Sequence, residues 1–394
     1  MQVDLPTTAP QIRAFPDGHH VVVIGTPISQ GGEPGKEMYV LDLDSGNMRR
    51  LLERGGLYQI RAPAVTRDGR SILFADQVRF GIAALASDGR SVPRMLFPLT
   101  SNAWNADTGP DSAVYIDQLE RPVSLLRFSA SGGHAVELGH YPLHDDDAQF
   151  AVLGDGRAVW KEQVAGRDRL VIVAERKEPV PLSGTDEETT FPVVRVGARE
   201  MAFAIGQERR TIGIASIATG RIERRVAFGG GGLSHMIATP NGKTLYCTAA
   251  GAIWMQPAAG GSATRMRAGS AVAMDPDGKF MAVIDLREGR TRLLRVPLDG
   301  GAEREIPMSG NARPAPGIES GAISKDGKLL LGLQELDSWF ISPAVIDLAT
   351  GRATRIPIDA LGDAFSMAWT EDGQVMASVV GLRAALWKFR PEGR

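Results

Sequence analysis

The sequence predicts an all-β protein, a single β-propeller of four-stranded antiparallel blades spanning residues 1–394. Three observations predict it. A turn built on Asp-Gly or Asn-Gly returns at intervals of about 36 to 51 residues, the period of a four-stranded blade. Each turn is followed by short apolar runs of strand length. No stretch carries the periodicity of a long amphipathic helix.

The stretch Met274 to Gly301, MDPDGKFMAVIDLREGRTRLLRVPLDGG, shows the unit. Pro276 presets φ at the first corner, Asp277 tolerates unusual backbone angles, and Gly278 takes positive φ without steric cost. Phe280 to Ile284 then form one apolar run, and Leu293, Leu294 and Val296 a second, before Asp299-Gly300 turns again. A calcium loop would place oxygen ligands at alternate positions and a Glu at the twelfth. Lys279 and the apolar run occupy those positions instead. The motif is a hairpin turn.

Copies recur as FPDG (Phe15–Gly18), TRDG (Thr66–Gly69), TPNG (Thr239–Gly242), SKDG (Ser324–Gly327) and TEDG (Thr370–Gly373). Gly154–Gly156 is a shorter copy, and GPDS (Gly109–Ser112) and VGAR (Val196–Arg199) are weaker ones. Nine units result, starting near residues 11, 62, 103, 148, 190, 234, 270, 319 and 364. Natural propellers typically have roughly four to eight blades, so the expectation is one ring of nine or eight. The last unit stops after ALWKFRPEGR without an outer strand, and Gln2 to Leu5 are expected to supply it and close the ring. Strands of this length cannot bury both faces alone, so the blades must stack on one another.

These units resemble the TolB-type, WD40-like repeat of bacterial β-propellers, whose hallmark is a Ser-Pro-Asp-Gly-Lys turn leading into an apolar strand. The best matches are MDPDGKFMAVI and ISKDGKLLLGL, and the resemblance covers nearly the whole chain. It implies a propeller fold and, by family habit, a periplasmic scaffold or an extracytoplasmic sensor. It assigns no catalytic residue. If the chain was cut from a larger envelope or sensor protein, the resemblance implies an extracytoplasmic place, and otherwise a cytoplasmic one.

Composition removes several function classes. The 394 residues are 43% hydrophobic and 23% charged, an ordinary globular balance. A net charge of −2 and a pI near 6.3 give no basic field to draw nucleic acid or anionic lipid. The single cysteine, Cys247, excludes an intrachain disulfide and a Cys-based zinc cluster. It lies among apolar neighbours and reads as an inert thiol. MQVDLPTTAP lacks the charged and apolar regions of a signal peptide. No apolar run approaches the ~20 residues of a membrane span, so membrane insertion is not expected.

Catalytic signatures are sparse. No G-x-S-x-G elbow occurs; GIES (Gly317–Ser320) lacks the spacing. The glycine run Gly229–Gly232 is followed by no Lys-Ser/Thr and reads as an inter-blade crossing. No cofactor is expected, with a divalent metal the one alternative. Its candidate ligands are His140, His144 and Asp145, in a histidine- and acid-rich connection. A single loop rarely provides a complete rigid ligand set, so a solvated connection is the competing reading. His19 and His20 begin a strand and point to opposite faces. His235 reads as structural.

The more specific signal is positional. After the second strand of many units comes a polar tip, and these tips fall on the face opposite the Asp-Gly turns. The candidate binding residues are Gln77, Arg79, Asp117, Gln163, Gln207, Arg209, Asp285 and Gln334, converging on a common mouth. Trp104 and Trp339 are candidate exposed anchors. The expected function is therefore a non-catalytic binding or sensor propeller, recognising a protein, a peptide or a small polar ligand on that face. The alternative is a lactonase- or lyase-like propeller enzyme with a metal in the central channel.

Overall fold

The computed structural model describes residues 7–27, 37–52, 60–76, 79, 81–99, 103–143, 149–164, 167–183, 187–287, 290–308, 312–315, 317–335 and 340–390. Among them all regular structure is β-strand. Among the described residues no helix is long and apolar enough to cross a membrane. The chain packs as two compact units, Met1–Arg121 with Leu382–Arg394, and Pro122–Gly381.

The smaller unit opens with two four-stranded antiparallel sheets. The first is β1 (Thr7–Ala14), β2 (His20–Pro27), β3 (Glu37–Asp42) and β4 (Met48–Leu52); the second is β5 (Ile60–Val65), β6 (Ser71–Asp76), β7 (Gly81–Ala86) and β8 (Arg94–Pro98). Its third sheet starts with β9 (Ala103–Thr108) and the first half of β10 (Val114–Phe128). Phe15, Ile24, Ile72 and Phe74 fill the space between the first two sheets. Leu73, Ile82, Ala106 and Ile116 fill the space between the second and third.

The larger unit continues with β11 (Val136–Leu143) and then five meander sheets of four strands each. They are β12 (Ala151–Val152), β13 (Ala158–Val164), β14 (Arg167–Val173), β15 (Val180–Pro181); β16 (Thr189–Val196), β17 (Glu200–Ile205), β18 (Thr211–Ser216), β19 (Ile222–Ala227); β20 (His235–Ala238), β21 (Thr244–Ala249), β22 (Ala252–Pro257), β23 (Thr264–Ala268); β24 (Ala271–Met274), β25 (Phe280–Arg287), β26 (Arg290–Pro297), β27 (Arg304–Glu305); and β28 (Ala312–Pro314), β29 (Lys328–Glu335), β30 (Ile341–Asp347), β31 (Ala353–Arg355). The sixth sheet is composite. In the order β11-β10-β33-β32, it joins β32 (Asp363–Trp369) and β33 (Val375–Val380) to strands from the beginning of the unit. The chain then returns to the smaller unit, where β34 (Arg383–Phe389) pairs with the first half of β10.

Continuous apolar runs, whose successive side chains point to opposite sides, give the inner strands two apolar faces, and neighbouring sheets share them. Val193 and Phe203 pack with Leu153 and Val159 between the β12 and β16 sheets. Val194 and Ile212 pack with Met236 and Cys247 between the β16 and β20 sheets. Ile237 and Ile253 meet Val272 and Val283 between the β20 and β24 sheets. One larger cluster runs from Ala282 and Ile284 through Leu329 and Leu331 to Met367 and Val375. Val123, Leu125 and Met376 of the composite sheet pack on Phe150, Trp160 and Val171 of the β12 sheet. Strand β12 accordingly touches both β16 and β32.

The turn chemistry holds where it was read. Gly278 has φ +72° and its N–H donates to Asp275 O at 2.8 Å. The glycines of FPDG, TRDG, TPNG, SKDG and TEDG also take positive φ.

Two strand expectations need revision. VYIDQ and VSLLRF were expected to be separate strands joined by a polar tip at Asp117-Gln118; they form one continuous β10. DQLERP contains no Gly or Asn to supply the positive φ of a tight hairpin, so the chain runs straight on. The proposed closing strand, Gln2 to Leu5, lies outside the described residues. On the side away from β32, β33 pairs with β10, and β34, read as part of the same last blade, departs to pair elsewhere.

Candidate functional site

The polar tips divide into struts and exposed groups. Asp285, expected at an open mouth, is 1% exposed. Its carboxylate faces Arg267 of the neighbouring sheet, Oδ2 to Nη2 3.8 Å, and Arg267 also pairs with Glu303 at 2.5 Å. Position six of β25, in phase with Met281 and Val283, puts Asp285 on the side that packs against the β20 sheet, and burial there demands a cationic partner. Asp285 is therefore a structural link between sheets.

Arg79 and Asp117 play local roles in the smaller unit. Arg79 closes a tip: its Nε donates to Asp76 Oδ2 at 2.6 Å and its backbone N–H to Oδ1 at 3.2 Å, with Asp76 fully buried. Asp117 lies within β10, where its carboxylate accepts from the Trp104 N–H (2.9 Å), the Asn105 N–H (2.5 Å) and Asn105 Nδ2 (2.7 Å). It holds the bulged start of β9 in place. Trp104 is half-buried beneath the Arg61 guanidinium, 4.4 Å from its ring centre.

A third strut was missed. Lys161 is 2% exposed, with Nζ 3.3 Å from Asp168 Oδ2 and 5.6 Å from the Phe191 ring centre. Thr190 of the next sheet donates to the same Asp168 oxygen at 3.2 Å. The alternation of β13, with Lys161 directly after Trp160 in AVWKEQ, was the available signal for an inward-facing lysine.

Gln207 and Gln334 remain exposed, as expected of binding groups. Gln207 belongs to the turn Gly206–Arg210, in which Arg209 takes φ +52°. That conformation is held by backbone bonds from Arg209 N–H to Gly206 O (3.1 Å), Leu233 N–H to Arg209 O (3.0 Å) and Phe228 N–H to Arg210 O (2.9 Å). Glu208 and Arg210 stand exposed beside Gln207. Gln163 lies on β13 opposite Asp168. Gln77 and Trp339 fall outside the described residues.

The metal candidates are not brought together among the described residues. His140 Nδ1 lies 3.2 Å from Ser124 Oγ and 3.9 Å from Glu137 Oε2, while His144 and Asp145 fall outside them. No group of three His, Cys, Asp or Glu suited to a metal occurs among the described residues. Burial pushes the Cys247 thiol up to about 12, in keeping with an inert thiol. His235 is 5% exposed and neither ring nitrogen has a hydrogen-bond partner among the described residues. Burial lowers its pKa to about 4, and the nearby backbone of Ile318 only partly opposes the shift. At the same end of β20, Gln149 Nε2 donates to Ser234 O at 2.8 Å.

Two clefts lie beside Asp-Gly-type turns. One, about 430 Å³ in the smaller unit, is lined by Thr66, Asp68, Ser71, Thr108 and Ser112. The other, about 530 Å³ in the larger unit, is lined by Arg199, Glu200, Ser216, Glu223 and Asn241. Much of their polar lining is already engaged. Thr66 Oγ1 bonds Asp68, and both Glu200 oxygens accept from Arg224 Nη2 at 2.9 Å.

No family model matches the chain, and no curated protein matches it. Among solved structures it is similar to the β-propeller domain of Myceliophteria thermophila Cps50 (Swd1), at 13% identity over 88% of this chain and 96% of that one, with a TM-score of 0.33. It is also similar to Kuenenia stuttgartiensis hydrazine synthase, at 14% identity over 75% of this chain and 98% of that one, with a TM-score of 0.31.

Proposed function

We propose that the chain is a non-catalytic binding or sensor propeller whose larger unit is a ring of six four-stranded sheets. In this reading the pairing of β10 with β33 closes the ring. Support comes from the cyclic order of the apolar clusters, in which each sheet shares a face with the next and β12 touches both β16 and β32. A ring of this kind leaves two rims, one of Asp-Gly turns and one of polar tips.

The proposed binding element is the turn Gly206–Arg210 on the tip rim, which takes a protein or peptide partner. The observation that carries it is the left-handed Arg209, fixed by three backbone bonds while Gln207, Glu208 and Arg210 face solvent. A non-glycine residue in that region costs about 1 kcal/mol or more and persists only where its surroundings hold it. A rigid turn displaying an amide, an acid and a guanidinium suits a mixed-charge partner, since little conformational entropy is lost on binding. The buried Asp285 and the half-buried Asp168 act as struts and take no part.

Site-specific photo-crosslinking tests this reading in the natural host. A crosslinker at Gln207 should capture one discrete partner, and one at Asp277 on the opposite rim should not. Capture from Asp277 alone would move the site to the Asp-Gly rim, where the 530 Å³ cleft lies.

A further inference from the structure

Among the described residues the third sheet of the smaller unit has three strands, β9, β10 and β34, where every other sheet has four. Among the described residues β34 pairs with β10 alone. Within those residues its other edge presents a row of backbone N–H and C=O groups with no ladder partner.

The side chains of that edge are unusually apolar for an exposed strand. Leu386 is 75% exposed and Trp387 is 50% exposed. Trp387 sits opposite Ile116 on the face that carries Phe389, which stacks on Phe97 with ring centres 4.4 Å apart. Leu386 and Lys388 occupy the other face, where Lys388 pairs with Asp111 at 2.8 Å and lies 5.1 Å from the Tyr115 ring centre. Both faces of a fourth strand would thus find an apolar neighbour at the centre of β34.

Charge decides what that strand can be. Arg383 lies at one end of β34, and Lys388 and Arg390 at the other. Basic ends are a common guard against edge-to-edge association. Two copies of β34 paired side by side would bring six cations together, offset only in part by the Asp111 that Lys388 and Arg390 share in each copy and by Glu120 opposite Arg383. A second copy of this chain is therefore disfavoured, and an acidic partner is favoured.

We propose that β34 binds an extended segment of another protein, apolar at its centre and acidic at both ends, as the fourth strand of this sheet. Backbone ladder bonds supply much of the affinity, and alternate side chains meet Trp387 on one face and Leu386 on the other. The site is independent of the tip rim of the larger unit.

The test is fluorescence anisotropy of a labelled, end-capped peptide EVTVTVE titrated with the full chain. Saturable binding is expected, lost when alternate amides along one edge of the peptide are N-methylated. The double variant Arg383→Glu/Arg390→Glu should bind EVTVTVE about tenfold more weakly and gain binding to KVTVTVK, by reversal of two exposed charge pairs. That gain cannot come from misfolding. Absence of binding to EVTVTVE, equal binding of the N-methylated peptide, or an unchanged preference in the double variant would overturn the proposal.

Discussion

Val123 and Val380 are partners in one antiparallel ladder, although almost the whole larger unit lies between them in sequence. The ladder continues through Phe128 and Val375 without a register shift. Its neighbours tighten the same junction: Gly133 N–H donates to Pro357 O at 2.8 Å, and His134 Nδ1 lies 2.7 Å from Asp359 Oδ2. Pairings this distant in sequence are slow to form because loop-closure entropy precedes any gain. The ladder also covers an edge of β33 that would otherwise be exposed.

Gly278→Val is expected to destabilise the protein by roughly 1–3 kcal/mol, because a β-branched residue is strained at positive φ. A Cβ there would also lie 3.2 Å from Pro240 Cδ in the neighbouring turn. Gly278→Asn should cost less, since Asn tolerates the left-handed region. Thermal unfolding of both variants checks this; a Val variant that melts with the parent contradicts the turn geometry.

Asp285→Ala is expected to lower stability by about 2–4 kcal/mol, because it removes one of the two carboxylates that face the mostly buried Arg267. Gln207→Ala, at an exposed tip, should stay within about 0.5 kcal/mol of the parent. Urea denaturation separates the two. Equal midpoints for Asp285→Ala and the parent would return Asp285 to the list of binding residues.

The contrast between these residues shows what was legible in the chain. The Asp-Gly turns could be read because each depends on four consecutive residues and the φ tolerance of glycine. Asp285 and Gln207 look alike in sequence, each polar after an apolar strand. Their fates differ because Arg267, eighteen positions away and on the next sheet, reaches one of them. The split partnership of β10 was equally hidden, since it depends on strands contributed by the far end of the chain.

His235 gives the protein an acid-side dependence of known sign. Its folded pKa of about 4 lies below the unfolded value of 6.5. The unfolded chain therefore binds the extra proton first, and stability falls as pH drops from about 6.5 toward 4. At pH 4.5 the loss is about 2–3 kcal/mol relative to pH 7. His235→Met should lack this component, so its urea midpoint should fall less than the parent's between the two pH values. Identical pH profiles would show that His235 is hydrated or paired in solution.

The closure of the larger unit is tested most directly by joining Ser124 and Val379, which face each other in the β10–β33 ladder. Directly opposed residues in an antiparallel pair lie about 4.5–5.5 Å apart at Cα, within disulfide reach. The native Cys247 is fully buried and does not compete. In Ser124→Cys/Val379→Cys, oxidation of the folded protein should form the bond and stabilise it by roughly 2–4 kcal/mol, reversibly with reductant. Failure of the folded protein to form this bond, with both thiols reactive, would contradict the closed ring.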